Sequence, residues 1–149
     1  MPDAPAAPAF VSATQDEVTL QLFESLNDNG VSIAGYELYI DAGDDTLSDF
    51  TLAKSFSGYT EIVTLTQADD GLGGPGTIYR VKTRAVNEDS YYSDFSNELI
   101  FALGPLPSTP NAPVKIIEES TEDSIMVSWD EITGEALNVI GYRLYADSG

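Results

Sequence analysis

The chain has 149 residues, 25 acidic side chains against six basic ones, a formal charge of −19, and neither cysteine nor histidine. That charge repels phosphate backbones and anionic headgroups, so roles on nucleic acid and on membrane surfaces are disfavoured. The missing Cys and His exclude zinc sites, thiol chemistry, disulfide scaffolds and histidine acid–base catalysis. Hydrophobic content of 42%, with eight tyrosines and six phenylalanines, suits a folded core.

From the N-terminus, Met1 leads at once into Pro2-Asp3-Ala4-Pro5, with no basic region and no apolar run, so no signal peptide is visible. A secreted form is expected either to have shed its leader or to carry it outside this sequence. Apolar stretches reach only four or five residues, as at Leu99 to Leu103, too short to span a membrane as a helix. Alternation of apolar and polar residues marks the strands: Val18, Leu20 and Leu22; Tyr36, Leu38 and Ile40; Tyr79, Val81, Thr83 and Ala85. Seven strands are predicted, roughly at 8–13, 17–23, 34–41, 50–57, 61–67, 77–87 and 95–102. No window carries an apolar stripe at helical spacing over three turns. Turn chemistry falls between the runs at Asn27-Asp28-Asn29-Gly30, at Asp41 to Asp45 and at Asp69 to Gly76.

Gly104 to Pro110 reads as a stiff, extended linker, with four of its seven residues Pro or Gly. Beyond it the sequence repeats. Ile33-Ala-Gly-Tyr-Glu-Leu-Tyr-Ile-Asp-Ala-Gly43 returns as Val139-Ile-Gly-Tyr-Arg-Leu-Tyr-Ala-Asp-Ser-Gly149, an offset of 106 residues. Upstream, Asp16 to Leu22 answers Asp123 to Trp129, and each copy opens on a proline-bearing leader, Pro5 to Pro8 and Pro110 to Pro113. In the second copy strands are predicted roughly at 113–118, 124–130 and 139–147. The expected organisation is a first module at 1–104, a Pro-rich linker at 105–110 and the N-terminal half of a second module at 111–149.

Several residues carry a resemblance to the fibronectin type III family. Pro75-Gly-Thr-Ile-Tyr79 followed by Arg84-Ala-Val-Asn87 resembles that family's turn into its sixth strand. Leu72 matches the leucine ahead of the tyrosine, one residue further upstream than the common spacing. Ser90 to Ser96 resembles the serine-rich turn into the last strand, and Trp129 matches the core tryptophan, which the first copy replaces with Leu22. The resemblance covers 5–103 fully and 110–149 as three strands. It implies an all-β, antiparallel immunoglobulin-like β-sandwich of seven strands, followed by the first three strands of a second sandwich. Within it Tyr79 is expected to bury its ring and pass its hydroxyl to a backbone carbonyl of the preceding loop, which the glycines there allow to fold back tightly.

Candidate sites are few. Arg80, Lys82 and Arg84 supply half of all positive charge at alternate positions of one strand, facing outward if Tyr79 and Val81 face inward. Glu37, Tyr39 and Asp41 on the neighbouring strand would pair them off, leaving an acidic or sulfated ligand as the functional alternative. Oxygen-bearing residues gather at Asn27/Asp28/Asn29, Asp41/Asp44/Asp45 and Asp69/Asp70, where pooled loops could hold calcium. None has EF-hand spacing, solvated turns account for them, and no cofactor is expected. Without His or Cys the usual nucleophile–base pairs cannot be assembled, so an enzyme is not expected. There is no Arg-Gly-Asp sequence and no N-glycosylation sequon.

The half-module exposes Trp129, Tyr142 and Leu144 on an unclosed face, and such strands call for partners. The expected role is structural: an extracellular or cell-surface filament or stalk of tandem repeats, whose partners are adjacent repeats or copies of itself. A loop-based adhesin or receptor module for a protein or glycan is the alternative.

Overall fold

The computed structural model describes residues 1–43, 49–135, 137 and 139–146. The chain divides into two compact units, Met1–Pro105 and Leu106–Gly149.

In the first unit, strands β1 (Ala9–Ala13), β2 (Glu17–Gln21), β3 (Ile33–Ile40), β4 (Thr51–Ser57), β5 (Ile62–Thr66), β6 (Ile78–Asn87) and β7 (Leu99–Ala102) form two antiparallel sheets. One has the order β1-β2-β5 and the other β4-β3-β6-β7. Alternation decides which side chains go inward. Val18 and Leu20 of β2 and Leu65 of β5 meet Leu38 of β3, Val81 of β6 and Leu103, all fully buried. The apolar halves of two half-wet sheets thus close on each other, the arrangement that lets a sheet bury one face only. On β6 every second residue from Tyr79 to Asn87 is buried, which turns Arg80, Lys82 and Arg84 outward.

Two departures from expectation have physical causes. The strand predicted at 95–102 begins only at Leu99, because two serines replace its ladder. Ser93 N–H donates to the Ala85 carbonyl and Ser96 N–H to that of Thr83. In return the Ala85 and Thr83 amides donate to Ser93 Oγ (2.9 Å) and Ser96 Oγ (3.0 Å). Hydroxyls thus stand in for backbone carbonyls, and the segment follows β6 without being a strand. The second departure is a single-turn helix, α1 (Gln67–Asp70), in the predicted turn. Thr66 caps it by accepting the Asp69 amide at 3.2 Å, Asp70 Oδ2 accepts the Thr66 amide at 2.8 Å, and Gly71 ends it at φ 69°.

The second unit holds one short antiparallel pair, β8 (Val114–Lys115) with β9 (Val127–Ser128), and a 3₁₀ turn at Ile117–Glu119. The strands predicted at 113–118 and 124–130 shrink to these, and 139–146 forms no strand; residue 147 lies outside the described residues. No described residue of 106–146 is buried. A strand pairs only if a neighbour accepts its hydrogen bonds, and two short strands do not make a stable sheet alone.

Candidate functional site

Tyr79 and Leu72 lie in the first core, 4% and 7% exposed. The Tyr79 hydroxyl does not reach a carbonyl as expected; instead it accepts the backbone N–H of Gly73. The loop folds back with its amide, not its carbonyl, aimed at the ring. A Cβ on Gly73 would come within 2.9 Å of Thr77 Oγ1 and 3.2 Å of Tyr79 Oη, so the approach needs a residue without one.

The outer face of β6 is the most structured surface of the unit. The register sets Glu37 opposite Arg84 and Tyr39 opposite Lys82. Arg80 Nε lies 2.7 Å from Asp41 Oδ2, while Asp41 Oδ1 accepts the Arg80 amide at 3.0 Å. Arg84 donates from Nε to Glu37 Oε2 (2.8 Å) and from Nη2 to Tyr39 Oη (2.7 Å), and Tyr39 Oη donates onward to Glu37 Oε2 (2.9 Å). Burial, then hydrogen bonding to the Glu37 carboxylate, pushes the Tyr39 hydroxyl above its ordinary pKa, so it stays a neutral donor.

The cross-strand acids expected for Arg80 and Arg84 are therefore present, but aromatic rings do as much. Lys82 Nζ sits 3.7 Å from the Phe50 ring centroid and 4.5 Å from that of Phe95, and Arg84 Cζ lies 3.9 Å from the Tyr92 centroid. Cations and rings alternate as a stack, each contact stabilising by about 0.5–2 kcal/mol depending on exposure. Sequence reasoning missed the rings, although Tyr92-Ser-Asp-Phe95-Ser carries a signal: rings three apart, interleaved with the two serines that pin them to β6.

Described residues of the oxygen-rich turns have local partners. Asn29 N–H donates to Asn27 Oδ1 (3.1 Å), Gly30 N–H to Asp28 Oδ1 (2.8 Å), and Asn29 Nδ2 to Asp3 Oδ1 (3.0 Å), which clips the leader to this loop. Asp41 is held by Arg80, and Asp70 lies 3.4 Å from Lys54 Nζ. Asp44 and Asp45 lie outside the described residues. Among those described, no group of three or more acidic residues is placed to hold a metal.

In the second unit the Trp129 and Tyr142 rings are 6.1 Å apart, and Tyr142 Oη accepts the Ile132 amide at 2.7 Å. The first unit makes the same bond: Tyr36 Oη accepts the Ser25 amide at 3.0 Å. The two tyrosines and the two loop amides are counterparts in the sequence repeat. What differs is cover. Leu22 and Tyr36 are 3% and 5% exposed, whereas Trp129 is 40% and Leu144 57% exposed. Within this unit Pro110, Pro113, Trp129, Tyr142, Leu144 and Tyr145 line an open apolar cleft of about 290 Å³.

No family model and no curated protein matches this chain. Solved structures do. Domains A168–A170 of titin are 21% identical with a TM-score of 0.58, over 70% of this chain and 32% of that one. The fibronectin type III domain of human fibronectin type III domain containing protein 3 is 22% identical with a TM-score of 0.53, over 70% of this chain and 87% of that one. The first unit has the fibronectin type III fold. A computationally redesigned β-sandwich protein matches in full over 75% of this chain, at 19% identity and a TM-score of 0.53. This chain spans only about a third of the titin fragment and 17% of the twitchin kinase region from C. elegans, so likeness to the fibronectin type III fold extends to architecture alone.

Proposed function

We propose that the chain is a non-catalytic structural module of an extracellular or cell-surface filament or stalk built from tandem fibronectin type III repeats, its second repeat completed by further chain or by a neighbouring subunit. The shared tyrosine-to-loop bond carries this reading: Tyr142 binds the Ile132 amide as Tyr36 binds that of Ser25, yet its apolar surroundings stay open. A second repeat that keeps this tyrosine bond beside its tryptophan would close once further strands cover them. The 25 carboxylates keep such an array soluble, and the Pro-rich linker spaces its modules. Light scattering and electron microscopy of the 149-residue protein test the assembly. Oligomers or fibres that Trp129→Ser abolishes are expected. A monodisperse monomer with no fibres sinks the version completed by a neighbouring subunit.

One observation favours the alternative, a binding module acting through its loops. Leu26 is 99% exposed and, with Tyr59, stands between clefts of about 470 and 570 Å³ at the end of the first sandwich. Binding of a protein or glycan that Leu26→Ser removes and Trp129→Ser spares would select this reading.

A further inference from the structure

We infer that the outer face of the β4-β3-β6-β7 sheet is a self-association surface whose occupant is the same face of a second copy. It is independent of how the second repeat is completed. The solvent side of an antiparallel sheet is ordinarily polar, and single exposed apolar residues mean little. Here they adjoin. Ile78 shares the outward row of β6 with Arg80, Lys82 and Arg84, Ile100 of β7 stands opposite Arg80, and Leu52 of β4 stands opposite Tyr39. Ile78, Leu52 and Ile100 are 48%, 50% and 63% exposed, and beside them Phe95 and Tyr92 are 37% and 42% exposed. Aromatics, arginines and isoleucines in one patch are the composition of an interface core.

Charge selects the occupant. On a chain of −19 this face carries three of the six cations, countered by Glu37 and Asp41, and among the described residues Lys82 has rings for neighbours and no carboxylate within ion-pair range. Along the β3 and β6 rows, cations and carboxylates nearly balance among the described residues, so two copies can meet there with less repulsion than elsewhere on an acidic surface. The two rows are also complementary. Carboxylates lie on the β3 side and cations on β6 at matching levels. A two-fold axis parallel to the strands, between β3 and β6, sets each row opposite the other. Arg84 then faces Glu37, Lys82 faces Tyr39, and β7 lies over β4, bringing Ile100 towards Leu52. Sheets packed face to face keep strands within about 30° of parallel, which suits this isologous contact.

Sedimentation velocity on the 149-residue protein over a concentration series, at low and high salt, tests the contact. A reversible dimer is expected, stronger at high salt as the residual repulsion is screened. Ile100→Asp and Lys82→Glu should each weaken it by about tenfold, with Lys82→Glu also melting lower because its contacts to Phe50 and Phe95 are lost, and Trp129→Ser should leave the dimer intact. Amide NMR shifts of the unmutated protein should move with concentration at residues 78, 82, 92, 95 and 100. A monomer at every concentration overturns the proposal. So does an association that Trp129→Ser removes and Ile100→Asp leaves, or shifts that move with concentration only elsewhere.

Discussion

Tyr79 joins three features that depend on one another: a ring in the core, a hydroxyl under the loop, and a glycine at 73 that lets the loop amide approach. Removing the hydroxyl leaves the Gly73 N–H without its acceptor. Tyr79→Phe is expected to destabilise the first unit by about 1–3 kcal/mol, the cost of an orphaned buried polar group. Urea unfolding measures it, and an unchanged midpoint would count against the bond. Other tyrosines govern the response to alkali. Tyr36, Tyr39 and Tyr59 are all pushed above the usual 10.0, in each case first by burial. Glu24 adds to the effect at Tyr36, where the Ser25 amide opposes it; Glu37 adds to it at Tyr39, where Arg84 opposes it; and Glu61 and Glu24 add to it at Tyr59. The folded state holds protons that the unfolded chain releases near pH 10. The stability contributed is therefore complete below that pH and is lost as pH rises through the folded-state values. Unfolding free energy measured from neutral pH to about pH 11 should fall, and Tyr36→Phe should flatten part of the fall. A flat profile would contradict the shifts.

Among the elements, β6 was the most legible, because its alternation is a local property: Tyr79, Val81, Thr83 and Ala85 point one way whatever else the chain does. The last strand was less so. Nothing in residues 93–98 says that Ser93 and Ser96 will replace carbonyls with hydroxyls, since that depends on how close the returning segment comes to β6. Ser96→Ala should destabilise the sandwich by about 1–2 kcal/mol, leaving the Thr83 amide unpaired, and Ser96→Thr should recover part of the loss. Thermal melts of the two variants check it; equal midpoints for Ala and the unmutated protein would mean that water or another group accepts the amide. Helix α1 had a cap signal in Thr66-Gln-Ala-Asp69, but one turn is too short to register as periodicity. The third strand predicted for the second repeat did not form in the described residues, although its pattern matches that of β3. Pattern assigns side chains to faces; a ladder also needs a neighbour.

At the scale of the whole molecule, the two contact surfaces proposed above differ in kind. On the proposed reading the cleft around Trp129 is part of a core, so its closure should change folding as well as assembly. The outer face of the first sandwich is a finished surface, so association there should raise the melting point only in step with protein concentration. Comparing Trp129→Ser with Ile100→Asp by sedimentation and by melting separates the two effects. The repeat of Tyr36 and Tyr142, the strand faces and the excess of carboxylates were determined by the sequence alone. They rest on spacing, alternation and composition, which operate within a few residues or by simple sum. Only the tertiary structure decided that Phe50, Phe95 and Tyr92 stack on Lys82 and Arg84, and that Tyr79 takes an amide rather than a carbonyl. Those contacts join residues far apart in the chain or turn on which way a loop's peptide faces. Both are settled by packing and not by pattern.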